Sequence, residues 1–168
     1  MQLLVTSMSQ ETLDVWQLVI PPGDTVAYRK GNPRSVPSDA VCMSGIYAFE
    51  RYGGRPQSDR GQILDNLRND GLPTLIVVPP SRPLQRTVDG AVEVVPEFRS
   101  TSPAEYSMTH AVEAVKRWNE RAHSVRIETL DVDLPLLGMD DPSDASTPRS
   151  VRNALIAAGI LAAEGGES

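Results

Sequence analysis

Cysteine is nearly absent from this chain of 168 residues, with Cys42 the only one. That excludes an internal disulfide and a cysteine-built structural zinc site. Histidine is almost as scarce: His110 and His123 are the two present, and their spacing matches no metal-ligand motif. No metal and no cofactor are expected. Basic residues are outnumbered, 16 Lys and Arg against 22 Asp and Glu, for a net charge of −6. That balance argues against general nucleic-acid binding but leaves room for a local basic site holding one small anion. Long apolar runs are missing too. None approaches the roughly 20 residues that a membrane helix needs, and Met1–Val5 is too short for a signal-peptide core and lacks a basic leader. The expectation is a protein of the reducing cytoplasm with no membrane association.

What is present is an ordinary globular balance, 40% hydrophobic and 23% charged. The length suits one domain with a sizeable core. Residues 1–161 read as that domain and 162–168 as a flexible tail.

Short apolar runs alternate with helical patterns. Leu3–Val5, Thr25–Tyr28, Ala40–Met43 and Leu75–Val78 read as strands, the third buried on both faces. Val92–Val95 is a further short strand, and Val125–Leu130 alternates as a half-exposed strand does. Ser9 precedes a helical pattern through Leu13 and Trp16 that ends at Pro21-Pro22-Gly23. A helix is expected around Ile63, Leu64 and Leu67, closed at Asp70-Gly71. Ser102-Pro103-Ala104-Glu105 is a strong helix start, with a capping serine, a proline in the first turn and a glutamate three residues after the cap. Thr147-Pro148 starts the last helix by similar logic, and Gly159 ends it. This order predicts an α/β fold, a three-layer α/β/α sandwich around one mixed central sheet.

In such sheets, ligands sit beyond the carboxyl ends of the strands. Three loops qualify: Ser44 to Gly54, the stretch from Pro79, and Leu137 to Thr147. Gly53-Gly54 reads either as a place where backbone amides approach a phosphate or as a tight turn. Residues 46–52 read either as part of a ligand loop carrying Glu50, Arg51 and Tyr52 or as a short solvated helix. Asp140, Asp141 and Asp144 read as a solvated acidic loop, without the glycine and terminal glutamate of a calcium loop. Ser44 lies outside any nucleophile-elbow pattern, neither histidine has the context of a general base, and Cys42 inside a strand reads as inert packing.

The order of Gly31-Asn32, Asp39-Ala40-Val41-Cys42, Gly53-Gly54 and, far downstream, Leu136-Leu137-Gly138-Met139 resembles that of a macro domain, the ADP-ribose-binding α/β fold. The resemblance runs from about Leu3 to Ala158 and is closest to a bacterial-type branch with an extra N-terminal strand and helix. It implies a ligand site built from Asn32, Ser44, Gly45, Gly53, Gly54, Gly138 and Met139, with ADP-ribose or a related nucleotide as the partner. The chain departs from the family pattern at three places. Asn32 stands where the family has an aspartate that bonds the adenine amino group. Ile46 takes the place of an asparagine, and isoleucine orients neither a ribose nor a water. The second loop keeps one glycine and gains aspartates. Three functions follow: a nucleotide binder without catalysis; a structural or protein-interaction protein whose pocket is filled by Tyr47, Phe49 or Met139; and an ADP-ribosyl hydrolase in which Glu50 is the one acid near enough to orient a water.

Overall fold

In a computed structural model, which describes residues 1–80, 85–94, 102–121 and 124–163, strands and helices alternate along the chain. The elements are β1 (Gln2–Ser7), α1 (Gln10–Val19), β2 (Val26–Lys30), β3 (Ala40–Cys42), α2 (Gly45–Tyr52), β4 (Gln62–Asp65), β5 (Leu75–Val78), β6 (Gln85–Val88), β7 (Ala91–Val94), α3 (Pro103–Glu120), β8 (Thr129–Asp133), α4 (Leu134–Leu137) and α5 (Ser146–Ala157). Among the described residues, six strands form one sheet in the order β2-β1-β8-β3-β5-β4. Its pairs are parallel except β4 with β5, which is antiparallel. The sheet is therefore mixed, with the antiparallel strand at one edge. β6 and β7 form a separate antiparallel hairpin turned by Asp89 and Gly90, both at positive φ.

Side chains alternate across each strand, so the two faces differ. One face carries Leu3, Val5, Cys42, Val77, Leu130 and Val132 and packs against α1, α3 and α5. Trp16 of α1 and Met108 of α3 are almost wholly buried there. The other face carries Val41, Met43, Ile76 and Val78, packed against Ala48, Phe49 and Tyr52 of α2. Three layers result, thick on one side and thin on the other.

The caps explain where helices start. Ser9 accepts the Thr12 N–H and Ser102 accepts the Glu105 N–H, each engaging a donor that the first helical turn leaves free. Asp39 fixes the entry to β3 by accepting the N–H groups of Glu128 and Thr129, both at 2.9 Å.

Several expectations need correction. Ile63 and Leu64 belong to edge strand β4, not to a helix. Adjacent apolar residues fit a strand that buries Ile63 against one core and Leu64 against the other, while Leu67 is 94% exposed. The strand expected at Val125–Leu130 begins only at Thr129, where register with β1 starts at Gln2. Ahead of it, Asn119 of α3 holds Ile127 through both its N–H and its carbonyl, at 2.9 Å each. That side-chain clip buries Ile127 without a ladder. The last helix begins at Ser146, not at a Thr147 cap. Val95, His123 and residues 164–168 of the expected tail lie outside the described residues.

Gly61 marks a close approach between layers. A Cβ there would stand 2.6 Å from the His110 carbonyl oxygen and 3.2 Å from the Ala114 Cβ. Backbone on α3 cannot rotate away as a side chain does. Gly61→Ala is expected to lower unfolding free energy by about 1–3 kcal/mol in a denaturant titration. An unchanged midpoint contradicts that packing.

Candidate functional site

All five parallel strands end on the same edge of the sheet, and the residues that follow them line two cavities. The first has a volume of about 410 Å3. Met8 follows β1, Asn32 and Arg34 follow β2, Met43 follows β3, and Pro135 and Leu136 follow β8, with Tyr47, Arg51 and Tyr52 of α2 as a wall. The second, about 620 Å3, is lined by Ser44, Gly45, Ile46, Phe49 and Glu50 on the α2 side and by Pro79, Pro80, Leu137 and Met139. The Ser44 N–H donates to the Leu136 carbonyl at 2.9 Å. Residues on either side of this bond line different cavities, so one bridge from α2 to α4 stands between them.

Of the residues expected to form a ligand site, Asn32 lines the first cavity, and Ser44, Gly45 and Met139 line the second. Gly138 lines a neighbouring groove with Asp144 and Thr147. Its N–H donates to Pro135 and that of Met139 to Leu134, at 3.1 and 2.9 Å, so both amides are engaged in closing α4. The stretch expected as a phosphate loop is a single helical turn. Asp133 caps its start by accepting the Leu136 N–H, and Gly138 ends it in the left-handed conformation. Gly53 and Gly54 line neither cavity. Both have positive φ, and Gly53 closes α2 through its N–H to Phe49. Of the two readings for residues 46–52, the helix is the one observed.

Asn32 builds the turn at the mouth of the first cavity. Its Oδ1 accepts the N–H of Arg34 at 2.9 Å and that of Ser35 at 3.2 Å. Arg34 in turn donates through Nε to the Asp70 carbonyl at 2.8 Å. Asp70 is a hub: its carboxylate accepts from Tyr52 at 2.7 Å and from Asn66 at 2.9 Å. Burial pushes its pKa up, but the bonds from Asn66, Tyr52 and the Leu72 N–H win and hold it down at about 2. The Tyr52 hydroxyl donates to Asp70, and burial and the Asp70 contact raise its pKa against a smaller downward pull from Arg51. One network therefore ties the Asn32 turn and Arg34 to Tyr52 of α2 through Asp70.

The floor holds a carboxylate pair that the sequence reading passed over. Asp131 and Asp133 point away from the thick core, on the α2 face, and are 0% and 2% exposed. Asp133 lines the first cavity. Thr6 stands between them, its hydroxyl 2.5 Å from Asp131 Oδ1 and 3.2 Å from Asp133 Oδ2. A threonine has one hydroxyl hydrogen. Both contacts are satisfied together when protonated Asp131 donates to Thr6 and Thr6 donates on to Asp133. Desolvation by burial, aided by the charge of Asp133, raises the Asp131 pKa to about 7. Burial raises Asp133 as well, with a smaller push from Asp140. The remaining oxygen, Asp131 Oδ2, is buried with no hydrogen-bond partner, which costs less on a neutral carboxyl than on an anion. The available signal was the Leu-Asp-Val-Asp alternation of β8, two carboxylates on one face of a strand.

The acidic loop is a capping device. Asp144 accepts from the N–H and hydroxyl groups of both Ser146 and Thr147, and these bonds lower its pKa to about 2. Among the described residues no cluster of three His, Cys, Asp or Glu side chains suits a metal ion. Cys42 is fully buried, and burial raises its thiol pKa, with Asp131 and Asp133 adding to the effect. No described helix is long and apolar enough to cross a membrane. No family model matches the chain, and no curated protein matches it.

Proposed function

We propose that this chain binds ADP-ribose or a related nucleotide in the cleft at the carboxyl ends of its parallel strands, without hydrolysing it. The observation that carries this reading is the 410 Å3 cavity, whose apolar and aromatic walls carry a few polar side chains, Asn32, Arg34 and Arg51 among them, over a floor that includes Asp133. That is the lining a flat heteroaromatic ring requires. The second cavity lies across the Ser44–Leu136 bridge from the first, so a nucleotide that fills both passes over that bond. The second cavity opens on the start of α2, where Ser44 makes no side-chain cap bond. The free N–H groups and positive end of a helix suit a phosphate.

One feature argues against hydrolysis. Ile46 is 83% exposed at the second cavity and has no group to hold a water. Glu50, the acid nominated above, lies on the same wall, but hydrolysis needs the acid and a positioned ribose together. The protein-interaction reading required a pocket filled by Tyr47, Phe49 or Met139. Those side chains line the two cavities, which retain about 410 and 620 Å3.

Isothermal titration of the full chain with ADP-ribose and, separately, with GDP is expected to give saturable one-site binding with at least one of them. No heat and no thermal shift with either at millimolar concentration overturns the reading.

A further inference from the structure

Where α3 packs against edge strand β4, Arg60, Arg117 and Arg121 line a cleft of about 250 Å3 beside the apolar Ile63, Ala114 and Trp118. Ala114, Arg117, Trp118 and Arg121 stand at helical spacings of three and four, so they share one face of α3 and its C-terminal cap. Arg60 joins them from the segment before β4, beside the close approach at Gly61. Arg117 donates through Nη2 to the Gly61 carbonyl at 3.3 Å, and the Trp118 indole N–H donates to the Val125 carbonyl at 2.8 Å. These two bonds tie the cleft to the chain segments on either side of it. No acid lines the cleft. Among the described residues, neither Arg117 nor Arg121 has a carboxylate partner. Arg60 donates to Gln57 and stands 3.9 Å from its neighbour Asp59, an exposed pair of little strength.

The chain has 16 basic residues against 22 acidic ones, yet three arginines share this one cleft without an acid on its lining. Like charges held together repel. Two roles need no ligand. The arginine stems cover apolar surface, and Arg117 and Arg121 suit the negative end of α3. Neither role places Arg60, which lies on no helix. An anion shared by all three side chains does. Each guanidinium presents a fork of N–H donors that matches an oxyanion. A carboxylate brings two oxygens and one charge, too little for three forks. A phosphate group brings at least three oxygens and nearly two charges. We propose that the cleft between α3 and β4 binds a phosphate group, as the free ion or on a small phosphate monoester, through Arg60, Arg117 and Arg121. This site is separate from the nucleotide cleft and does not rest on that reading. It is the local basic site for one small anion that the overall charge balance leaves room for.

The two tryptophans make the test local, because Trp118 lines the cleft and Trp16 is buried in the core. Inorganic phosphate, phenyl phosphate and acetate are each titrated into the 15N-labelled full chain at neutral pH, with chloride holding the ionic strength constant. Two-dimensional NMR follows the indole and arginine Nε–H signals. Phosphate is expected to give saturable shifts at the Trp118 indole and the Arg117 Nε–H while Trp16 stays still, and acetate to bind at least tenfold more weakly. Phenyl phosphate binding more tightly than the free ion assigns the site to a monoester. Equal affinity, or binding of the free ion alone, assigns it to the phosphate group itself. Arg121→Gln removes an exposed guanidinium and is expected to weaken phosphate binding at least tenfold with an unchanged thermal midpoint. Acetate binding as tightly as phosphate overturns the ligand class. Shifts that chloride reproduces, shifts confined to Arg34 and Arg51 of the first cavity, or no saturable shift at millimolar phosphate overturn the site. A folded Arg121→Gln protein with unchanged affinity overturns the three-arginine account. The wild-type titrations decide the matter even where a variant does not fold.

Discussion

Replacing Asp131 with asparagine is expected to stabilise the protein above neutral pH and to leave it nearly unchanged near pH 4. The carboxyl is buried, with one oxygen unpartnered, and its pKa in the folded chain stands at about 7 against 3.8 in the unfolded chain. Between those two values the folded state holds a proton that the unfolded state has released. Stability therefore falls as pH rises through this window and levels off above it. A shift from 3.8 to about 7 corresponds to at most about 4 kcal/mol. Asparagine donates to Thr6 as the protonated acid does and never ionises. The difference in unfolding free energy between variant and wild type should grow from near zero at pH 4 to about 1–4 kcal/mol at pH 8. Asp70 and Asp144, whose pKa values are lowered to about 2, act in the opposite sense: their contribution is present above about 3.8 and fades as pH falls toward 2. They are common to both proteins and cancel in the difference. A variant less stable than wild type at pH 8 contradicts the protonated carboxyl and requires a partner for Asp131.

The second large effect concerns binding. Arg51→Glu reverses a charge on the wall of the first cavity, on an exposed stretch of α2. Hydrogen bonds to charged groups are worth about 1.5–3 kcal/mol, so nucleotide affinity should fall roughly 10- to 100-fold. Thermal stability should change little, because Arg51 packs in neither core cluster. The Tyr52–Asp70 bond, 2.7 Å long, remains to hold the rim. Unchanged affinity with a folded protein places the ligand elsewhere.

The parts of the fold legible in the sequence were those where local chemistry and tertiary packing agree. Leu75–Val78 is apolar throughout and lies between two strands, so composition alone marks it as buried on both faces. Ser9 and Ser102 cap their helices through bonds that their sequence neighbourhoods imply. The failures share a cause as well. Ile63 and Leu64 match a helical spacing, and only the neighbouring β5 decides that they extend as a strand. Val125–Leu130 alternates well, but Asn119 claims Ile127 before the sheet can. β8 then buries two aspartates, which no hydrophobic pattern marks as strand interior.

The site divides in the same way. Of the residues named from the strand-end loops, Asn32, Ser44, Gly45 and Met139 line cavities there, and Gly53 and Gly54 do not. Arg34 and Arg51 were not singled out as a pair because they lie 17 positions apart and meet only through the turn and α2. The direction in which Asn32 presents its amide depends on two backbone bonds that folding creates.

The most direct test of nucleotide binding at the strand ends is a titration of the 15N-labelled chain with GDP, followed by two-dimensional amide NMR. Saturable shifts are expected at the Asn32 side-chain amide and at the backbone amides of Tyr47, Arg51 and Leu136, around the first cavity. Shifts confined to the groove between α1 and α5, lined by Leu18 and Arg149, or an unperturbed spectrum at millimolar GDP and ADP-ribose, would contradict the account.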